Sequence, residues 1–411
     1  MNTLAVIPAR GGSKGIVRKN LAPLCGRPLV TWMIDAALSA KRVDRVVVST
    51  DDAEIGQCAR QCGAEVVWRP AEISGDGASS ESALLHCLDH LRSQERYKPD
   101  ALALLQCTAP LTLPDDIDGT IAALIDTGAD TALAVADFHH FLWRPGDGGG
   151  VVGLNHDADV RLPRQARTPD LLETGSVYVM RTKGFLRTKH RFFGTVASYC
   201  TPRERCWEID EPGDLLVAEA LLRRRLHASR AELLPPAPAA VVLDFDGVMT
   251  DNRALILQDG REAVLCNRSD GLAIAAIKAT GAMLLVLSSE ANPVVRARCD
   301  KLGIECLQGI GRKWPVLAEW LANRNIDPAH VIYVGNDVND LECLQSVGCG
   351  MAVADSHEAV RSAARIILDA GGGRGAVREI ADLFDLAQKR SGTGSLCVAA
   401  VRCQLSVVSS A

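Results

Sequence analysis

Two α/β domains in series, each a doubly wound parallel sheet with helices on both faces, are what this 411-residue chain predicts. Three observations carry that prediction. From Leu4 onward, short apolar runs alternate with helical stretches of about 10–15 residues, the pattern of strands joined by crossover helices. A proline- and alanine-rich stretch over 228–240 interrupts the pattern and reads as a linker. At Val241 the alternation starts afresh. The chain is therefore expected to divide into a domain at 1–227, the linker at 228–240, a second domain at 241–390 and a disordered tail at 391–411.

Composition narrows the function. Hydrophobic content of 47% and charged content of 23% fit a globular enzyme. A net charge of −5 without any long basic run argues against nucleic acid as a partner. No apolar run approaches the roughly 18 residues of a membrane helix, and no basic region precedes the first apolar run. The 14 cysteines are scattered without a C-x-x-C pair and read as reduced thiols of a cytoplasmic protein. Cys58 with Cys62, and His86 with His90, stand one helical turn apart and read as helix faces, not metal ligands.

The first strand, at Leu4–Ile7, runs into a loop with Gly11, Gly12, Ser13 and Gly15. Small residues let backbone N–H groups approach an anion, and Arg10, Lys14, Arg18 and Lys19 add charge for a polyphosphate. The dinucleotide fingerprint would need glycine where Arg10 stands, and the G-x-x-x-x-G-K-[ST] loop has no match. A plain surface turn with solvated charges is the alternative.

A helix follows over 29–40, then a strand over 45–50, a helix opened by Asp51-Asp52, and a strand over 65–68. Ligands gather at the carboxyl ends of such strands, so Arg10, Asp51 and Arg69 are expected to converge. The polar loop 74–80 precedes a helix; its hydroxyls serve as N-caps, as ribose or phosphate ligands, or as both. Strands are expected over 101–105 and 130–136. Gly148-Gly149-Gly150 reads as a turn in an insertion. Glu208 and Asp210 alternate along an extended segment, which puts both carboxylates on one face, as shared ligation of Mg2+ requires. The alternative is an acidic cluster opening the helix over 214–227.

The wording Pro8-Ala-Arg-Gly-Gly-Ser-Lys-Gly15, followed by Lys19-Asn20, resembles the CTP-binding loop of the acylneuraminate cytidylyltransferases. Gln106-Cys-Thr-Ala-Pro-Leu111 resembles that family's Leu-Gln-x-Thr-x-Pro-Leu. Arg164-Gln165 and Glu173-Thr-Gly-Ser-Val-Tyr178 resemble its Arg-Gln-Asp and Glu-Asn-Gly-Ser/Ala-x-Tyr, with departures at Ala166 and Thr174. The resemblance implies a Rossmann-like nucleotidyltransferase. In such an enzyme the anomeric hydroxyl of a nonulosonate attacks the α-phosphorus of CTP and pyrophosphate leaves in line. It assigns CTP binding to Arg10, Gly11, Gly12, Ser13, Lys19, Asn20, Arg69 and Ser80. Gln106 and Arg164 would orient the sugar, Arg164 also being catalytic, and Glu208 and Asp210 would hold Mg2+. The insertion would reach a partner subunit. N-acetylneuraminate, Kdn, legionaminate and pseudaminate all remain open as the sugar.

The second domain opens with Val241-Val-Leu-Asp244-Phe-Asp246-Gly-Val-Met-Thr250, which resembles the haloacid dehalogenase phosphatases. The resemblance makes Asp244 a nucleophile that takes a phosphoryl group, and Asp246 the acid and base. Ser288 would bind phosphoryl oxygens, Lys313 would steady the intermediate, and Asn336 and Asp337 would join Asp244 and Asp246 around Mg2+. The acidic motif runs on to Asp340. Asn336 stands where aspartate is usual; its amide oxygen can ligate the metal but brings no charge. No cap domain intervenes, only a predicted hairpin over 254–266 that turns at Asp259-Gly260. Together with Asn267-Arg-Ser-Asp-Gly271 and Gly372-Gly-Arg-Gly-Ala-Val-Arg378, this resembles the capless, tetrameric Kdo 8-phosphate phosphatase branch.

The implied whole is a cytoplasmic enzyme acting on small molecules, with no nucleic-acid or membrane partner. Its second domain would strip a 9-phosphate from a nonulosonate and its first would activate the free sugar. The alternative keeps the transferase and makes the second domain a non-catalytic tetramerisation platform. Either way a homo-oligomer is expected, dimeric through the transferase domains and tetrameric through the phosphatase domains.

Overall fold

The computed structural model describes residues 1–390 other than Lys14, Asp76 and Pro169; the tail expected at 391–411 lies outside the described residues. Two compact units, Met1–Arg223 and Arg224–Ala411, make up the chain. Their division falls inside the helix Pro212–Glu232, so residues 228–232 of the expected linker are helical. The reason is local. Ala-Ser-Arg-Ala-Glu is compatible with a helix, and the first breaker is Pro235.

The first unit is built on a seven-stranded sheet. Its spatial order is Val196–Cys200, Thr131–Phe138, Asp170–Arg181, Ala101–Leu105, Thr3–Pro8, Arg45–Thr50, Glu65–Trp68. Alternation along the strands explains why it is buried on both faces. Ala5 and Ile7 join one apolar cluster with Val46, Val48 and Ala103, while Leu4 and Val6 join another with Val47, Leu102 and Leu104. The sheet departs from the all-parallel expectation at one strand. Asp170–Arg181 is antiparallel to both neighbours, because residues 139–169 bring it back without a crossover helix. That excursion includes the hairpin Trp143–Gly146 with Gly150–Gly153, turning where Gly149 has φ +78°. His156 packs edge-on against Phe141 and Trp143 beside it.

The second unit has six parallel strands in the order Glu305–Leu307, Met283–Leu287, Ala240–Leu243, Val331–Gly335, Cys349–Ala352, Ile366–Ile367. Val241 and Leu243 face one cluster, Ala240 and Val242 the other. The predicted hairpin is present as Thr250–Ile256 paired with Glu262–Cys266. The late glycine motif has a packing cause: a Cβ at Gly372 would lie 2.1 Å from the Gly247 carbonyl oxygen, under the loop of the first acidic motif.

Asp270, in the first turn of helix Ser269–Ala279, is 1% exposed, and neither of its carboxylate oxygens has a partner among the described residues. Burial pushes it up to about 6, with Arg298 pulling the other way. A folded value above the unfolded one makes the protonated form stabilising. The cost of ionisation begins near the unfolded value of about 4 and is complete above the folded value. Asp270→Asn is therefore expected to raise the thermal midpoint of the second unit at pH of about 8, and the gain is expected to shrink as pH falls to about 5. Calorimetry across that range checks it.

Candidate active sites

In each sheet the first strand of the unit lies in the interior, with the chain running to one side and then to the other. The crevice beyond the carboxyl end of that strand is where α/β sheets bind ligands. In the first unit this is a cleft of about 250 Å³ past Pro8. Arg10, Ser13, Lys19 and Asn20 line it from the glycine loop, Arg69 and Ser80 from the next two strand and helix ends, and Gln106 and Thr108 from beyond Leu105.

The loop is held by its neighbours. Gly11 N donates to Asp51 Oδ1 at 2.9 Å, and a Cβ there would lie 2.7 Å from Asp52 Oδ2. Asn20 Nδ2 donates to the Arg10 carbonyl oxygen at 3.0 Å. Arg18 departs from the expected cation cluster. Its guanidinium pairs with Glu54 at 3.0 Å and Asp52 at 3.4 Å, so it anchors the loop to helix Ala53–Gln61. Arg69 is buried and donates to Ser49 Oγ and the Ser49 carbonyl oxygen, which fixes its direction. Both roles left open by the sequence are filled: Ser79 Oγ accepts from Ser82 N as the N-cap, and Ser79 and Ser80 both line the cleft.

The acidic pair is tied to two residues of the cleft wall, Thr108 and Lys19, without lining the cleft itself. Residues 206–210 join no sheet; Ile209 is fully buried and its N donates to the Thr108 carbonyl oxygen. Glu208 Oε1 accepts from Thr108 Oγ1 at 3.1 Å. Lys19 Nζ donates to the Ile209 carbonyl oxygen at 2.9 Å and to Asp210 Oδ1 at 3.2 Å. Gly15 approaches so closely that a Cβ would sit 2.4 Å from the Asp210 carbonyl oxygen, and Gly175, at φ +65°, leaves room for the Glu208 carboxylate. Burial pushes Glu208 up; the Thr108 hydrogen bond opposes this, and the charge of Asp210 adds to it. Two hard oxygen donors with one lysine between them and the loop suit a divalent cation.

Five predicted residues are not part of the cleft's lining: Glu208 and Asp210, which reach it only through Thr108 and Lys19, and three more. Gly11 and Gly12 do not line it. Arg164 lies in the exposed turn Arg164–Ala166 on the 139–169 excursion, also away from the lining. Thr174, at one departure from the family wording, is buried with Oγ1 on the Ala134 carbonyl oxygen and against Ser176 Oγ. Thr108 is the residue that sequence reasoning passed over, although it sits inside the Gln106 motif.

In the second unit, Asp244, Asp246, Ser288, Asn336 and Asp337 line one cavity of about 300 Å³. Lys313 lies beneath it with its Nζ 2.8 Å from Asp244 Oδ1 and 2.7 Å from Asp340 Oδ1. Asp340 is turned inward: it also accepts from Tyr333 Oη and from the N–H groups of Asn336 and Asp337, and it is 0% exposed. It holds the motif in shape and does not line the cavity. Burial and then the charge of Asp340 push Asp244 up, while Lys313 opposes them. Burial likewise raises Asp246, which accepts from Thr250 Oγ1. Asp244 Oδ1 already accepts from Phe245 N and Lys313, leaving Oδ2 without a protein donor among the described residues. Three carboxylates and one amide oxygen around one cavity fit a divalent cation.

His227, Asp369 and Glu379 bring ligand atoms within 4.8 Å of one another. Arg230 pairs with both carboxylates, and Glu379 also accepts from Asp369 N and Ala370 N, which makes this an internal ion-pair cluster. Among the described residues no helix is long and apolar enough to cross a membrane.

Fold and sites define a nucleotidyltransferase domain followed by a haloacid dehalogenase-like domain. The cytidylyltransferase family model matches residues 4–141, and the model of haloacid dehalogenase-like hydrolases matches residues 304–378. Over 402 residues the chain is 31% identical to the N-acylneuraminate cytidylyltransferase of Oncorhynchus mykiss, covering 94% of this chain and 89% of that protein. It is 30% identical over 232 residues to a pseudaminic acid cytidylyltransferase of Campylobacter jejuni, covering 54% of this chain and 97% of that one. Among solved structures, the 3-deoxy-D-manno-octulosonate 8-phosphate phosphatase of Yersinia pestis is 31% identical, covers 39% of this chain and 86% of its own, and has a TM-score of 0.37. The chain belongs to the N-acylneuraminate cytidylyltransferase family, enzymes of small-molecule substrates.

Lys313 separates two buried carboxylates that cannot both remain charged without it. Lys313→Met is expected to destabilise the second unit by about 3–5 kcal/mol. Denaturant unfolding of the variant against the parent chain measures this.

Proposed function

We propose that the first domain transfers CMP from CTP to the anomeric hydroxyl of N-acetylneuraminate, and that the second hydrolyses the 9-phosphate of the same sugar. The observation that carries the first half is the shared cleft: Lys19 reaches from the glycine loop to Asp210, and Glu208 is tied to Thr108 on the cleft wall. Arg10, Ser13, Lys19, Asn20, Arg69 and Ser80 hold CTP, Gln106 orients the sugar, and Glu208 with Asp210 would hold Mg2+. When bound, the cation neutralises charge on the triphosphate. The protein contributes orientation, with donors fixed before the substrate arrives. Arg164, exposed on the excursion, acts on the sugar from a dimer partner. The exposed Val151, Leu154, Val160 and Leu171 on or near the same excursion support that assembly.

For the phosphatase half, Asp244 attacks the phosphorus with Lys313 and Ser288 steadying charge, and Asp246 moves the proton to the leaving oxygen. Asp244, Asp246, Asn336 and Asp337 would hold the cation. The platform reading has its own support. Asn336 lacks the charge of aspartate, and Leu255, Ile256, Leu265 and Leu272 leave an apolar surface on the hairpin and the next helix that a tetramer would cover.

Purified protein given CTP, Mg2+ and N-acetylneuraminate is expected to release pyrophosphate. Glu208→Gln and Asp210→Asn are each expected to slow turnover roughly 10²–10³-fold. Silence with every nonulosonate tried, pseudaminate and legionaminate included, would remove the transferase assignment. The intact chain is also expected to release phosphate from N-acetylneuraminate 9-phosphate, and Asp244→Asn to abolish that while pyrophosphate release continues. An inactive phosphatase in a tetramer, read by light scattering, favours the platform.

A further inference from the structure

We propose that the first domain carries a second ligand site, for a small organic anion with an apolar or aromatic body, at the end of its sheet opposite the CTP cleft. A cavity of about 700 Å³ lies between helix Ser80–Glu95, the connection 97–100 and helix Thr182–Thr188. That volume falls in the range of small-molecule sites. Leu88, Leu85, Leu186 and the ring of Tyr97 supply an apolar wall.

The charges around it are unbalanced. Lys98, Lys183 and Lys189 line the cavity and are exposed, and none makes an ion pair or side-chain hydrogen bond among the described residues. Of the other charged groups lining it, Asp89 and Arg92 pair with each other at 2.7 Å, and Asp100, whose Oδ2 accepts from Asn2 N at 2.8 Å, is the one carboxylate set against the three lysines. Thr182 is 7% exposed, and its Oγ1 has no partner among the described residues. Three ammonium groups against one unpaired carboxylate leave a net positive charge over an apolar wall, which draws anions to the cavity. A bare inorganic ion would leave the leucines uncovered, and a neutral apolar molecule would gain nothing from the lysines. An anion with an apolar body meets both demands.

The site is separate from the transferase cleft. Ser80 lines the cleft and Arg92, on the same helix, lines the cavity, so the two are about 18 Å apart along the helix axis. The strand Ala101–Leu105 gives the same separation, with Gln106 leaving one end and Asp100 entering at the other.

Titration of the full-length protein with 1-naphthalenesulfonate, which no phosphatase can hydrolyse, tests the proposal by the probe's fluorescence. Saturable binding is expected, unchanged by excess CTP and weaker at high salt. Lys183→Glu with Lys189→Glu is expected to weaken it roughly tenfold or more. Lys98→Gln, on a different segment, gives an independent smaller loss should the double variant misfold. Absence of saturable binding, displacement by CTP, equal binding by folded variants, or equal affinity for neutral 1-naphthalenemethanol would each overturn it.

Discussion

The placement of each unit's first strand inside its sheet is the constraint on which both sites depend. Once Thr3–Pro8 and Ala240–Leu243 have neighbours on both sides, their side chains are buried on both faces. Function can then be carried only by the loops beyond their carboxyl ends. There the chain leaves the sheet into Arg10 and its loop in one unit, and into Asp244 in the other. Residues distant in sequence reach the same crevice because parallel strands deliver all their carboxyl ends to one edge. Gln106 and Arg69 arrive that way in the first unit, Ser288 and Asn336 in the second.

The two acidic sites are held by different electrostatics. Glu208 is partly desolvated, tied by one neutral hydroxyl, with Lys19 reaching Asp210 beside it. Asp244 is buried against a lysine that is itself shared with Asp340, and Asp340 is fully engaged by four donors. The second arrangement is a rigid buried network, in which removal of one member leaves a charge without a partner. The first is more open and suits a site that must admit a triphosphate. Asn336 is packed against Gly247, where a Cβ would come within 1.8 Å of its amide nitrogen, so its place is set by packing.

Much of the fold was legible from residue order. Strands at 45–50, 65–68 and 101–105 follow from their apolar runs, and the hairpin from Asp259-Gly260. Two misreadings have physical causes. Helix Pro212–Glu232 runs past the expected boundary because alanine, arginine and glutamate propagate a helix until proline stops it. Asp170–Arg181 enters antiparallel because strand direction depends on the path of a long connection, which carries no local signal.

By itself, the sequence determined which chemical groups were present and in what short-range spacing: a basic glycine loop, a paired acid at 208 and 210, and two aspartates flanking Phe245. Those patterns are local, so side-chain alternation and turn chemistry suffice to read them. Only the tertiary structure decided which groups meet. It turned Arg18 onto Glu54, drew Thr108 to Glu208, kept Arg164 out of the cleft and sealed Asp340 behind Lys313. Charge partners are chosen by proximity in space, and proximity between residues as far apart as Lys19 and Asp210 exists only once the sheet has formed.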